Sequence, residues 1–189
     1  ALWDWFSLFG VMLSLPFLPD FGTLAFAIAI WVFQAGKLSV TRLRGDLACW
    51  TLVRQLPISH KDFLLYDLGL PFLLTVIISW AGLITAALLS GAAVIGLALL
   101  LPGIAAGISA LTTFDVIRRS RSNLLINGSV PTVGMGGILL GLLVAAIPLL
   151  IYTFLPMITG LFLAILSSVL IGRLAFLLAV RSYRDLDRS

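Results

Sequence analysis

Ser59, His60, Lys61 and Asp62 set a hydroxyl, an imidazole, an amine and a carboxylate side by side. His60 is the only histidine, the chain has no glutamate at all, and no second metal-ligating side chain accompanies that imidazole. Catalytic zinc and paired-glutamate acid/base chemistry are therefore unsupported. The Ser-x-x-acid spacing has a structural use instead: the serine hydroxyl caps a new helix and the acid three residues on returns a hydrogen bond. No GxxxxGK[ST] sequence is present to cradle ATP phosphates. The single cysteine, Cys49, excludes an internal disulfide framework and any multi-cysteine metal site. No residue is assigned a catalytic, cofactor-binding or metal-binding role, and the chain is not read as an enzyme.

The elements that flank these residues are membrane spans. Hydrophobic residues make up 61% of the 189 and charged ones only 11%, far from the roughly 25% charged residues of a soluble domain. Eleven of the twelve Lys and Arg residues fall in three patches, Lys37 to Lys61, Arg118 to Arg121 and Arg181 to Arg188. Almost pure hydrocarbon separates them. By the positive-inside rule all three patches are cytoplasmic. Hydropathy gives an all-α, polytopic membrane protein with six spans, at about 2–18, 21–36, 64–89, 92–116, 135–153 and 157–180, so that both ends face the cytoplasm. The plasma membrane is the expected location. The formal charge of +4 sits beside apolar spans with no interleaved stacking aromatics, which points to anionic lipid headgroups and away from nucleic acid. Ala1 in place of methionine, and a first apolar run rising only about 26 Å, point to further residues upstream.

Within the spans, Pro16, Pro71, Pro102 and Pro148 each remove a backbone hydrogen bond and favour a kink. Gly103/Gly107 and Gly137/Gly141 have GxxxG spacing, suited to close helix packing within the chain or across a dimer. The few charges near the spans need partners. Asp115 has the spacing to pair with Arg118 or Arg119. Asp67 and Arg173 are expected to bridge each other or to snorkel to the boundary. Asp4, between Trp3 and Trp5, reads as part of an interfacial anchor.

The longest stretch outside the spans, residues 37–62, is organised as an amphipathic helix and an elbow. Leu43, Leu47, Trp50, Val53 and Leu56 recur at helical steps, with Arg42, Arg44, Asp46, Arg54 and Gln55 mainly between them. Arg42 and Asp46 have pairing spacing. Pro57 breaks this helix, and the capping signal at Ser59 starts the next near residue 60, running into span three.

The stretch RLRGDLACWTLVRQLPISHKDFLLYDL resembles the corresponding loop of ABC-2 type exporter permeases, through Leu56, Pro57, Ile58, Ser59, Phe63, Leu64, Leu65 and Asp67. In that family the loop between spans two and three holds a coupling helix that docks on the nucleotide-binding subunit. The resemblance implies that Leu56, Pro57, Ile58, Ser59, His60, Lys61 and Asp62 form the docking elbow for separate cytoplasmic ABC ATPase subunits. The chain is then a single transmembrane domain over 1–189, working as a homodimer or beside a similar permease half; one half of a twelve-span permease fits equally. It departs from some relatives in its short first run and in lacking a long outer loop before span six. The competing expectation is a six-helix accessory subunit of a larger membrane complex. An intramembrane enzyme would need clustered ionisable groups at one depth, and only scattered ones are present.

Overall fold

The computed structural model describes residues 2–18, 20–49, 59–91, 94–126 and 133–187. Apolar runs without strand-like alternation give helices: α1 (Leu2–Ser14), continued by a 3-10 turn at Leu15–Phe17, α2 (Phe21–Ala48), α3 (His60–Ser90), α4 (Ile95–Ile126), α5 (Met135–Phe154) and α6 (Met157–Asp187). No strand occurs among the described residues. Helices α2 to α6 are long and apolar enough to cross a membrane, which makes this a multi-pass membrane protein. Leu2–Phe17 falls short of that length. Of the six expected spans, five thus correspond to helices of that length, and the one expected at 2–18 does not.

The ends of the helices follow local chemistry. Pro16 lies in the 3-10 turn that ends the first run. Gly91 adopts φ 66°, a left-handed conformation that a side chain would oppose, and its N–H closes α3 on the Ala87 carbonyl at 2.8 Å. Pro71, Pro102 and Pro148 lie inside α3, α4 and α5 without ending them.

Helix α4 is the hub, packed against α2, α3, α5 and α6. Both GxxxG pairs are spent on contacts within the chain. A methyl group at Gly103 would strike Ser168 of α6, one at Gly107 would lie 2.5 Å from Val144 of α5, one at Gly137 3.0 Å from Asp115, and one at Gly141 2.9 Å from Val32 of α2. Across the other side of the bundle, α1 lies against α3 at Gly82. Outward faces carry bare leucine, isoleucine and phenylalanine, among them Leu70, Ile77, Leu143, Phe162 and Leu174. Such a surface suits hydrocarbon as its solvent.

The segment expected as an amphipathic helix apart from the spans is, over residues 37–48, the unbroken continuation of α2. Its apolar stripe points inward: Leu43 and Leu47 are buried together with Val40. Trp50, Val53, Arg54 and the elbow residues Leu56, Pro57 and Ile58 lie outside the described residues.

Candidate functional site

One end of the bundle gathers the side chains that the sequence singled out. Val40, Leu43 and Leu47 of α2, Leu64 of α3, Val116 and Ile117 of α4, and Ala179 and Tyr183 of α6 form one apolar cluster. The described members of the three basic patches, among them Arg42, Lys61, Arg118 and Arg181, flank these segments and so share a single end. Asp4 joins them from α1, its carboxylate 2.6 Å from Lys37 Nζ. Asp4 is therefore an ion-pair partner as well as a neighbour of two tryptophans.

The start of α3 is capped and clamped. Asp62 N–H donates to Ser59 Oγ at 3.1 Å, and Ser59 Oγ donates to Asp62 Oδ2 at 2.6 Å. The two side chains therefore close the first turn on each other. Tyr183, near the end of α6, is buried and packs on both sides of that turn. Its ring stacks on Phe63 at 5.2 Å between centroids, and His60 meets it edge-on at 5.6 Å. His60 is half-buried against Tyr183 rather than exposed. Ser59→Ala removes the cap and is expected to cost about 1 kcal/mol of local helix stability. Hydrogen exchange of the amides at 60–63 should speed up while the middle of α3 stays protected; unchanged exchange there would reject the cap's role.

One turn further along α3, a charged group is enclosed. Asp67 has no exposed area, and Arg42 Nε of α2 lies 3.4 Å from its Oδ1. Neither Asp67 oxygen has an aligned hydrogen bond, so the contact is an ion pair without a directed donor. The Arg42 guanidinium also sits 4.4 Å from the centre of the Tyr66 ring. The expected Asp67–Arg173 bridge does not form: Arg173 is exposed on α6, and Asp67 faces α2. Asp46, one turn past Arg42 on α2, adds a second acid to its surroundings, so Arg42 sits among two acids and a phenol.

The third charged contact forms where its spacing predicts. Arg119 Nε donates to Asp115 Oδ1 at 3.1 Å, and the other Asp115 oxygen accepts from Gly134 N–H at 3.1 Å, holding the start of α5. Deeper in the bundle, Trp31 Nε1 donates to Ser79 Oγ at 2.9 Å and Ser39 Oγ meets Ser109 Oγ at 2.7 Å. These hydroxyls tie α2 to α3 and α4. Cys49 is exposed.

Of the predicted elbow, Ser59, His60, Lys61 and Asp62 are placed together in the first turn of α3. The roles of Arg42, Tyr66 and Tyr183 were missed, since each meets its partner across distant segments. Comparison with protein-family models, curated proteins and solved structures gives no match.

Proposed function

We propose that the chain is the membrane-spanning permease subunit of an ATP-driven exporter, with ATP hydrolysed by a separate nucleotide-binding subunit that docks on the elbow at 56–62. One observation carries the reading. The capped turn at Ser59 to Asp62 begins a helix that runs unbroken to Ser90, and Tyr183 ties that turn to the end of α6. A push on the elbow therefore acts directly on two full-length helices. The clustering of basic patches at this end supports its assignment to the cytoplasm, where nucleotides are found, with both chain ends on that side of the plasma membrane. Pairing of two such chains, or of this chain with a similar half, supplies the path.

The test is copurification in mild detergent of the intact chain and of a Pro57→Ala, Ile58→Asp variant. A P-loop ATPase recovered with the intact chain and lost from the variant is the expected outcome. Unrelated membrane subunits, no ATPase and no effect of the variant would instead favour the accessory-subunit reading.

A further inference from the structure

Helices α4 and α6 run parallel and touch through small residues at mid-length. Gly103 and Gly107 of α4 face Ser168 and Ile171 of α6, and a methyl group at Gly172 would lie 3.5 Å from Ala106. Toward the basic end the side chains between the two helices become bulky, with Phe114 and Ile117 on α4 and Leu178 on α6. There the helices leave a cleft of about 330 Å³ with an apolar floor and, at its mouth, Arg118 from α4 and Arg181 and Ser182 from α6.

The two mouth arginines differ from others at this end. Arg42 and Arg119 each face a carboxylate within 3.4 Å, whereas Arg118 and Arg181 are exposed and form no ion pair among the described residues. Asp185 lies at the rim, one turn past Arg181, so the mouth keeps a net positive charge. Below the mouth, Leu174 and Leu178 lie bare on α6 and continue the apolar floor outward. A soluble anion would use the arginines alone and leave this floor wet. An amphiphile with an anionic head matches both halves.

We infer that the cleft between α4 and α6 is a binding site for an anionic phospholipid of the bilayer. Arg118 and Arg181 hold the phosphate, and an acyl chain lies over Phe114, Leu178 and Leu174. Guanidinium forks from two helices can engage phosphate oxygens together, at the depth where a helix leaving the hydrocarbon meets the headgroups. Ser182 and the Asp185 carboxylate are placed to meet headgroup hydroxyls. This site does not depend on the exporter reading.

The test is native mass spectrometry of the detergent-purified chain, stripped of lipid and titrated with phosphatidylglycerol, phosphatidylethanolamine or phosphatidylcholine, with inorganic phosphate as a separate arm. Phosphatidylglycerol should bind in preference to the other two lipids. An Arg118→Gln, Arg181→Gln variant should weaken it by about 30-fold, roughly fivefold for each arginine near a headgroup. Arg173→Gln, on the same helix outside the cleft, should leave binding unchanged. Leu178→Trp, which keeps every charge and fills the floor, should weaken binding even if the double variant fails to fold. Equal binding of phosphatidylcholine or phosphatidylethanolamine, the same loss in Arg173→Gln, no loss in Leu178→Trp, or competition by inorganic phosphate at comparable concentration would each overturn the assignment.

Discussion

Replacing Arg42 by leucine is expected to remove most of the folded protein from detergent solution, and replacing Arg42 and Asp67 together by leucine to restore it. Asp67 is fully enclosed and Arg42 is the cation that faces it, at 3.4 Å. Without Arg42 the carboxylate is stranded next to a second acid, Asp46. Breaking a buried ion pair by removing one partner leaves an uncompensated charge, at about 3–5 kcal/mol. Removing both members eliminates that charge, and apolar replacement of a buried pair is commonly neutral or better. Asp67→Leu alone should be milder, because the Arg42 side chain is 39% exposed and can reach water while keeping its contact with Tyr66. Size-exclusion of heated samples reads all three. A double variant as damaged as Arg42→Leu would reject the ion pair as the cause.

Gly82→Ala should loosen α1 from the bundle, although it adds a single methyl group. That methyl carbon would lie 2.7 Å from the Phe9 carbonyl oxygen and 2.8 Å from Met12 Cβ. A backbone oxygen cannot step aside as a side-chain tip can, so the two helices must separate, at about 1–3 kcal/mol for overpacking. Leu8 and Met12, buried in the main core, would lose contacts with the same movement. Gly10→Ala is the matched control, since a methyl group there meets nothing within 4 Å. Limited proteolysis of α1 and thermal stability should both change in Gly82→Ala and in neither respect in Gly10→Ala. Equal behaviour of the two variants would contradict the close approach.

How far the sequence disclosed these features depends on the range of each interaction. Helices α2 to α6 were legible because a bilayer demands long apolar runs, and the Ser59–Asp62 cap and the Asp115–Arg119 pair because their partners lie three and four residues apart. Arg42 and Asp67 escaped because no spacing rule joins residues on opposite sides of the elbow. Hydropathy instead matched Asp67 with Arg173, the other charge at a similar depth. The amphipathic stripe through Leu43 and Leu47 was legible as a helix face, but its period does not say what that face meets. Lipid and protein core both reward an apolar stripe, and only the arrival of Leu64, Ile117 and Tyr183 from other helices decides between them.

The continuation of α2 has one more consequence. From Lys37 to Ala48 it adds twelve residues beyond the apolar stretch, a rise of about 18 Å, which, with the spans bounded as hydropathy bounds them, puts Leu43 and Leu47 past the hydrocarbon, where water competes for every polar group. The molecule is thus held together in two solvents. Among lipid tails, which are as apolar as leucine, cohesion comes from close backbone approach at small residues such as Gly103 and Gly141. In the protruding crown around Tyr183 it comes from the exclusion of water, a force that weakens on cooling. Temperature therefore acts unequally on the two halves, softening the crown while leaving the packing of the spans largely untouched.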